Sequence, residues 1–287
     1  MDYVEIRIAD LVLWLDARGS DINFNIPKCH HKFLINRPSE DGLYLRVIEG
    51  NVQKSDTWNP LYFSSETWEL WKDRFEKLIF VVPEITPPER RVIVDSEFTN
   101  GEVICKFLVE SNKNLVPYPL QNIEIKLFIN WLANFGDIIL HAVGIVIDGR
   151  GYCFAGASSS GKSTLAGALT KIPGLEIMGE DNIVLRHKDN HFWIYGTPWH
   201  LNSKMCSNSK APLEKIFFLD RSIDPGMKRC DPLQGITRIL KTAFIPYYRP
   251  ETLPDILDRL NLLSSRVPFG LAHYQIGSDP GVFFDKV

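Results

Sequence analysis

The sequence has few cysteines, and none of them are arranged in pairs. Its five cysteines lie far apart in a chain of 287 residues, and no two of them have the C-x-x-C spacing. An odd number of cysteines at such spacing argues against a disulfide framework, and also against a zinc knuckle, which needs paired ligands. The sequence therefore favours a reducing compartment.

Long runs of one residue type are also missing. No block of like charges is long enough to form a tail, and the net charge of −3 provides no general attraction for nucleic acid or acidic lipid. The most apolar stretch, Ile138 to Ile147, is too short to span a bilayer and contains His141. The N-terminus lacks a basic lead into an apolar segment, as a signal peptide would have. We therefore expect a cytoplasmic protein that binds neither nucleic acid nor membrane.

The first part of the chain, residues 1–119, has a pattern typical of strands and turns. Short segments rich in β-branched residues alternate with Gly, Pro, Asn or Asp. Asn100-Gly101 lies between two such segments and predicts a hairpin there. Hydrophobic residues make up 45% of the sequence, enough for a substantial core. We interpret 1–119 as a strand-rich N-terminal region and 120–287 as a separate domain.

The second part of the chain mixes helical and strand patterns. Apolar residues recur every four positions and predict a helix that ends at Gly136; they are Ile123, Leu127, Trp131 and Phe135. A strand, a tight turn and a second strand follow and lead into a glycine-rich segment. Further strands are predicted near 183–186, 192–195 and 215–219, and two amphipathic helices near 233–244 and 252–263. The predicted fold class is therefore mixed α/β.

The glycine-rich segment matches the phosphate-binding pattern G-x-x-x-x-G-K-[ST] without a mismatch. The matching residues are Gly156, Ala157, Ser158, Ser159, Ser160, Gly161, Lys162 and Ser163. Glycines let successive backbone N–H groups turn towards anionic oxygens, and the N-terminus of the following helix adds partial positive charge. Lys162 can reach the β- and γ-phosphates, and the Ser163 hydroxyl can ligate Mg²⁺. The segment predicts binding of a nucleoside triphosphate with magnesium.

Two adjacent acids and a histidine are further candidates for the site. Glu180 and Asp181 precede an apolar strand. One carboxylate is suited to ligate Mg²⁺ and the other to accept a proton from an attacking hydroxyl, while a solvated turn is the alternative for both. His141 lies at the start of a predicted strand, where a structural role is the commoner one.

These residues together resemble a known family. The segments LHAVGIVIDGRGYCFAGASSSGKSTLAGAL, MGEDNIVLR, YGTPW and APLEKIFFL are similar to the catalytic domain of HPr kinase/phosphorylase, which shares its broad fold group with phosphoenolpyruvate carboxykinase. The similarity covers residues 120–219 well. It implies a P-loop kinase domain of that type, preceded here by a variable strand-rich section. Relatives of HPr kinase often form closed multimers. The resemblance therefore makes a homo-oligomer one expectation, which the sequence itself does not decide.

The resemblance implies roles for individual residues. The stretch 156–164, which ends in Thr164, matches the phosphate loop, and His141 matches a histidine that assists the catalytic acid. Glu180 and Asp181 match a pair of aspartates, which implies Glu180 as base and Asp181 as metal ligand, or the reverse. His200 falls in a segment that recurs in relatives. It would either pack inside the domain or line the acceptor pocket, and the sequence favours neither role over the other.

The sequence also departs from the family pattern. Thr164 stands where the family usually has an acidic residue, Glu180 replaces an aspartate, and the glycine-rich signature of the phosphate-consuming reaction is missing after His191. Phosphorylase activity is therefore not expected.

The leading hypothesis is an ATP- and Mg²⁺-dependent kinase, with ATP replaceable by another nucleoside triphosphate. Its acceptor would be a hydroxyl of a protein or peptide serine, or of a small molecule. The alternatives are a nucleotide-driven switch and a regulatory nucleotide sensor without phosphotransfer. The sequence lacks the N-K-x-D pattern of GTPases after the loop, which argues against one familiar kind of switch.

Overall fold

A computed structural model of the chain describes residues 1–35, 41–51, 54–64, 67–82, 90–106, 115–157, 159–200 and 205–284. The architecture is mixed α/β with several sheets, as predicted. The chain forms two compact units, Met1–Trp131 and Leu132–Val287. The units divide inside the helix that follows residue 119, and the predicted domain boundary at that residue stays a prediction.

The N-terminal unit is built mainly from strands, as its sequence predicts. They are β1 (Tyr3–Ile8), β2 (Leu11–Asp16), β3 (Asn23–Asn25), β4 (Leu43–Glu49), β5 (Asn59–Ser64), β6 (Trp68–Lys72), β7 (Leu78–Val82), β8 (Arg90–Val94), β9 (Asn100–Cys105) and β10 (Leu115–Pro117). One sheet has the order β1-β2-β4-β9-β8-β7-β6-β5, and β3 pairs in parallel with β10. A 3-10 helix occupies Lys28–Phe33.

The hairpin of β8 and β9 forms, but the predicted position of its turn is wrong. Asn100 and Gly101 are the first residues of β9, and Gly101 pairs with Val94. The turn lies before them, where the Asp95 carboxylate accepts hydrogen bonds from the backbone N–H groups of Thr99 and Asn100, both at 2.8 Å. A capping aspartate can close a longer turn, so the Asn-Gly pair is not needed there.

The rest of the chain alternates strands with four helices among the described residues. The helices are α1 (Glu124–Ala133), α2 (Lys162–Leu169), α3 (Pro232–Thr242) and α4 (Leu253–Arg266). The strands are β11 (Ile138–Ile147), β12 (Arg150–Ala155), β13 (Glu176–Gly179), β14 (Asn182–Lys188), β15 (His191–Tyr195), β16 (Lys210–Leu219), β17 (Gly226–Cys230), β18 (Ala243–Phe244) and β19 (Phe269–His273). Short 3-10 helices occupy Pro250–Thr252 and Pro280–Phe283. The helices and strands predicted for this part are all present.

Strands β11 and β12 form the predicted hairpin, which delivers the chain to the glycine-rich segment. Ile147 pairs with Arg150 across a two-residue turn. The turn residues Asp148 and Gly149 have φ values of 51° and 73°, the left-handed region that such a tight hairpin requires. Strand β11 begins at Ile138, so His141 lies inside the strand and not at its start as the sequence suggested.

The C-terminal unit is layered around three parallel strands. Strand β16 pairs in parallel with β12 and with β19, so the carboxyl ends of all three strands lie at the same edge. One face of these strands, including Phe154, packs against α2. The other face, including Ala155, packs against α3 and α4. Among the described residues, no helix is both long enough and apolar enough to cross a membrane.

Candidate functional site

The glycine-rich segment forms a tight loop between β12 and α2. Gly161 precedes the helix with φ 102°, and Ser159 has φ 67°, so the backbone turns through left-handed conformations there. A side chain at Gly156 would place its β-carbon 2.5 Å from Oγ of Ser160, which leaves no room for one. Ser158 lies outside the described residues. The strand–loop–helix order is the one that a phosphate-binding loop requires.

The side chain of Lys162 lies against the backbone of this loop. Its Nζ donates hydrogen bonds to the carbonyl oxygens of Gly156 and Ala157, both at 2.8 Å. The residue is only 6% exposed. Burial lowers the pKa of the Lys162 ammonium, and the nearby Asp181 carboxylate opposes that shift. Ser163 and Thr164, the next residues of α2, are exposed.

The acidic pair lies in the short connection between β13 and β14. Glu180 is buried, and burial followed by the charge of Asp181 raises its pKa. Asp181 is half-buried. The backbone carbonyl of Asp181 accepts hydrogen bonds from the N–H of Ala142 at 3.1 Å and from Nδ1 of His141 at 2.8 Å. Through this hydrogen bond His141 contacts the backbone of the acidic pair and not one of its two carboxylates.

His200 joins the group, although the sequence left its role open. Burial lowers its pKa to about 4, and the Asp181 carboxylate opposes the shift, so the ring is neutral at pH 7. Its Nε2 lies 3.4 Å from Oγ1 of Thr197, while Nδ1 has no hydrogen-bond partner among the described residues. A β-carbon at Gly179 would lie 2.6 Å from Cε1 of His200, so the ring needs a glycine beneath it.

Asp181 is thus the residue that links the separate predictions. The charge of its carboxylate acts to raise the pKa values of Lys162, Glu180 and His200. Strand β11 brings the acidic pair near the loop, because Ala142 pairs with Ala155, the last residue before the loop, and donates its N–H to the Asp181 carbonyl.

Oxygen donors at this site match what magnesium prefers. The Ser163 hydroxyl and the Asp181 carboxylate are hard oxygen ligands, and Mg²⁺ usually takes one or two such groups and keeps several waters. Within the described ranges, no group of three or more His, Cys, Asp or Glu residues is arranged to hold a metal ion. The described residues therefore lack a zinc-type site built from protein ligands alone. A magnesium site completed by phosphate oxygens needs fewer protein ligands and is compatible with these residues.

Sequence analysis missed Arg221, which lies beside the loop. It follows β16, and a β-carbon at Gly161 would lie 3.3 Å from an Nη2 atom of its guanidinium. No motif marks this arginine, because its position depends on β16 pairing with β12. A cavity of about 420 Å³ adjoins it and includes Ser160 and Thr164 in its wall.

Comparisons with known proteins add little to this geometry. No family model matches the sequence. No curated protein matches it either. Among solved structures, the Hpr(Ser) kinase/phosphatase from Coxiella burnetii is 18% identical, with a TM-score of 0.28 over 50% of this chain and 85% of that chain. The similarity is distant, and at this TM-score it carries no argument about function.

Proposed function

We propose that the protein is a kinase that binds a nucleoside triphosphate with Mg²⁺ and transfers the γ-phosphoryl group to a hydroxyl. The observation that supports this most is the position of Ala142 in β11. It pairs with Ala155, the last residue before the loop, and donates its N–H to the Asp181 carbonyl, so the acidic pair lies near the loop that carries Lys162. Phosphoryl transfer needs this combination of phosphate binding, metal binding and proton acceptance.

The loop would bind the triphosphate. Backbone N–H groups of the loop and the N-terminus of α2 would face the β- and γ-phosphate oxygens. On nucleotide binding, Nζ of Lys162 would give up its hydrogen bonds to the two loop carbonyl oxygens and donate to phosphate oxygens instead. Burial disfavours its charge, so the negative triphosphate restores a favourable environment for the ammonium.

Ser163 and Asp181 would hold the magnesium ion. When bound, Mg²⁺ neutralises phosphate charge and favours departure of the diphosphate. Ser163 is exposed on the first turn of α2, and Asp181 is half-buried. Both side chains supply the oxygen ligands that this ion takes.

Glu180 would act as the base. The acceptor oxygen attacks the γ-phosphorus, the bond from that phosphorus to the β–γ bridging oxygen breaks, and the hydroxyl proton passes to Glu180. A raised pKa makes this carboxylate a better proton acceptor than an ordinary glutamate. His141 is a positioning residue, because it acts through the Asp181 carbonyl. The acceptor would be a serine hydroxyl of a protein or peptide, or a small-molecule hydroxyl.

Replacement of Lys162 tests the central part of this proposal. We expect Lys162→Ala to weaken Mg-ATP binding by about 10- to 100-fold, because charged hydrogen bonds to phosphate are lost and each factor of ten is about 1.4 kcal/mol. Isothermal titration calorimetry measures the affinity. Lys171→Ala is the matched control, since it removes an exposed lysine just beyond the same helix.

The outcome distinguishes the proposal from its alternatives. Equal affinity of Lys162→Ala and the wild type for Mg-ATP would show that the loop does not bind phosphate. Binding without release of the γ-phosphate to water or to any serine peptide would favour a nucleotide sensor. Circular dichroism and the unfolding midpoint establish that the variants are folded.

A further inference from the structure

A second cavity lies in the C-terminal unit, away from the phosphate loop. Its volume is about 530 Å³, and its wall comes from the segment before β11, the end of β14 and one side of α4. Asp137 in this wall lies five residues before Ala142, which pairs with Ala155 next to the loop. Five extended residues span about 17 Å, so the cavity is separate from the phosphate site.

The buried part of this wall holds an ion pair. Asp137 is 2% exposed, and its carboxylate accepts a hydrogen bond from Nε of Arg186 at 2.7 Å. The same carboxylate accepts from the backbone N–H of His187 at 3.0 Å. Asp137 and Arg186 balance each other's charge, so any further cation in this part of the wall needs a counter-ion from elsewhere.

Arg259 is that further cation, and its partners are neutral. From α4, its Nη1 donates a hydrogen bond to Nδ1 of His187, and its Nη2 donates to the carbonyl of Phe135 at 3.1 Å. Arginine can only donate, so the His187 ring is neutral, with its proton on Nε2. No carboxylate of the described residues lies within ion-pair distance of Arg259, although Asp255 precedes it by four positions on the same helix.

Two buried donors of this group have no acceptor. Nε of Arg259 and Nε2 of His187 both lack a hydrogen-bond partner among the described residues. Buried polar groups are normally satisfied by protein, water or a bound ion. A guanidinium without a counter-ion, next to unused donors and an open cavity, is suited to a carboxylate from another molecule.

Exposed acids at the mouth of the cavity restrict which carboxylate fits. Asp255 and Asp258 are exposed on α4 and line the same cavity. They repel a multiply charged anion such as phosphate and attract an ammonium group. Phe135 and Leu262 add apolar surface to the wall, and Phe135 is 43% exposed. A half-buried cation, exposed acids and apolar surface match the carboxylate, ammonium and side chain of an α-amino acid.

We propose that this cavity binds a free α-amino acid with an apolar side chain. Arg259 binds the carboxylate, Asp255 and Asp258 bind the ammonium group, and the side chain packs against Phe135 and Leu262. The inference does not rest on the proposed function, because it uses no residue of the phosphate loop or of the acidic pair.

Calorimetry on the full chain with three related probes tests this site. L-Leucine is compared with 4-methylpentanoate, which lacks the ammonium group, and with 3-methylbutylamine, which lacks the carboxylate. We expect leucine to bind at least about 10-fold more tightly than either analogue, because only leucine makes both charged contacts. Arg259→Gln should weaken leucine binding by about 10- to 100-fold. Arg266→Gln is the matched control, since Arg266 is an exposed arginine of α4 outside the cavity wall and binds the Asn190 carbonyl.

The double variant Asp255→Asn/Asp258→Asn gives a second readout at exposed positions. It should weaken leucine binding by about 5- to 10-fold and should not weaken binding of 4-methylpentanoate. Lack of leucine binding by the wild type at about 10 mM would overturn the proposal. So would an unchanged leucine affinity in folded Arg259→Gln or in the double variant. Circular dichroism establishes folding, and if Arg259→Gln is unfolded, the double variant decides.

Discussion

Glu180 combines burial with a like charge beside it. It is 9% exposed, and burial together with Asp181 raises its pKa. A carboxyl group in such surroundings accepts protons at a higher pH than one in water. A carboxyl group with this property is suited to general base catalysis.

The pH dependence of turnover should follow this raised pKa. If Glu180 is the base, its carboxylate form is required, so kcat falls as the pH decreases through a pKa above the ordinary range of glutamate. Glu180→Gln should lower kcat by at least about 100-fold and leave Mg-ATP affinity nearly unchanged. Steady-state kinetics across pH with a serine peptide or water as acceptor measures both effects.

The control for this prediction is a nearby acid outside the site. Glu176 is exposed and precedes the pair in β13. Glu176→Gln should keep both the rate and the acid limb of the pH profile. Full turnover by Glu180→Gln would remove Glu180 from the role of base.

At the scale of helices and strands, packing depends on how closely the backbone of a helix approaches the atoms of its neighbours. Gly235 lies in α3 over β19, and a β-carbon there would lie 1.9 Å from Cδ2 of Phe269. Gly167 lies in α2, and a β-carbon there would have no atom within 4 Å. Both are glycines in helices, but only Gly235 is required by its neighbours.

Alanine at these two glycines should have opposite effects on stability. Gly235→Ala should lower the free energy of unfolding by about 1–3 kcal/mol, because Phe269 or the helix must shift. Gly167→Ala should raise it by up to about 1 kcal/mol, since alanine is the better helix former and meets open space. Urea unfolding measures both. Stabilisation by Gly235→Ala would contradict the packing of α3 on β19.

Local sequence patterns predicted most of the helices and strands, but they misplaced one turn. Asp231 caps α3 by accepting from the N–H of Gln234 at 2.9 Å, with Pro232 following, as helix-start rules expect. The turn before Asn100 was misplaced because the Asp95 side chain closes it. A dipeptide propensity cannot show which of several nearby polar groups will form the hydrogen bonds.

Across the whole molecule, all five cysteines are free and buried. Burial raises the pKa of Cys105 to about 12 and also raises the pKa values of Cys153 and Cys230. Thiolate is the reactive form, so these side chains are protected both by lack of access and by protonation. The sequence expectation that no disulfide framework is present stays a prediction.

Thiol titration tests this arrangement. In native protein prepared without reductant, an aromatic disulfide reagent should show no fast-reacting thiol, because every sulfur is buried. In guanidinium chloride all five thiols should react. Fewer than five in the denatured protein would indicate a disulfide, and a rapid equivalent in the native protein would indicate an accessible cysteine.

By itself the sequence determined the strand–loop–helix order around Lys162, the hairpin that leads into it and the helices of the C-terminal unit. These features depend on neighbours along the chain, whose spacing and turn chemistry can be seen in one sequence. Only the tertiary structure decided that Ala142 and His141 bind the Asp181 carbonyl, that His200 packs over Gly179, and that Arg221 lies beside the loop. Those contacts join residues far apart in sequence, and they follow from strand order and register, which no local pattern encodes.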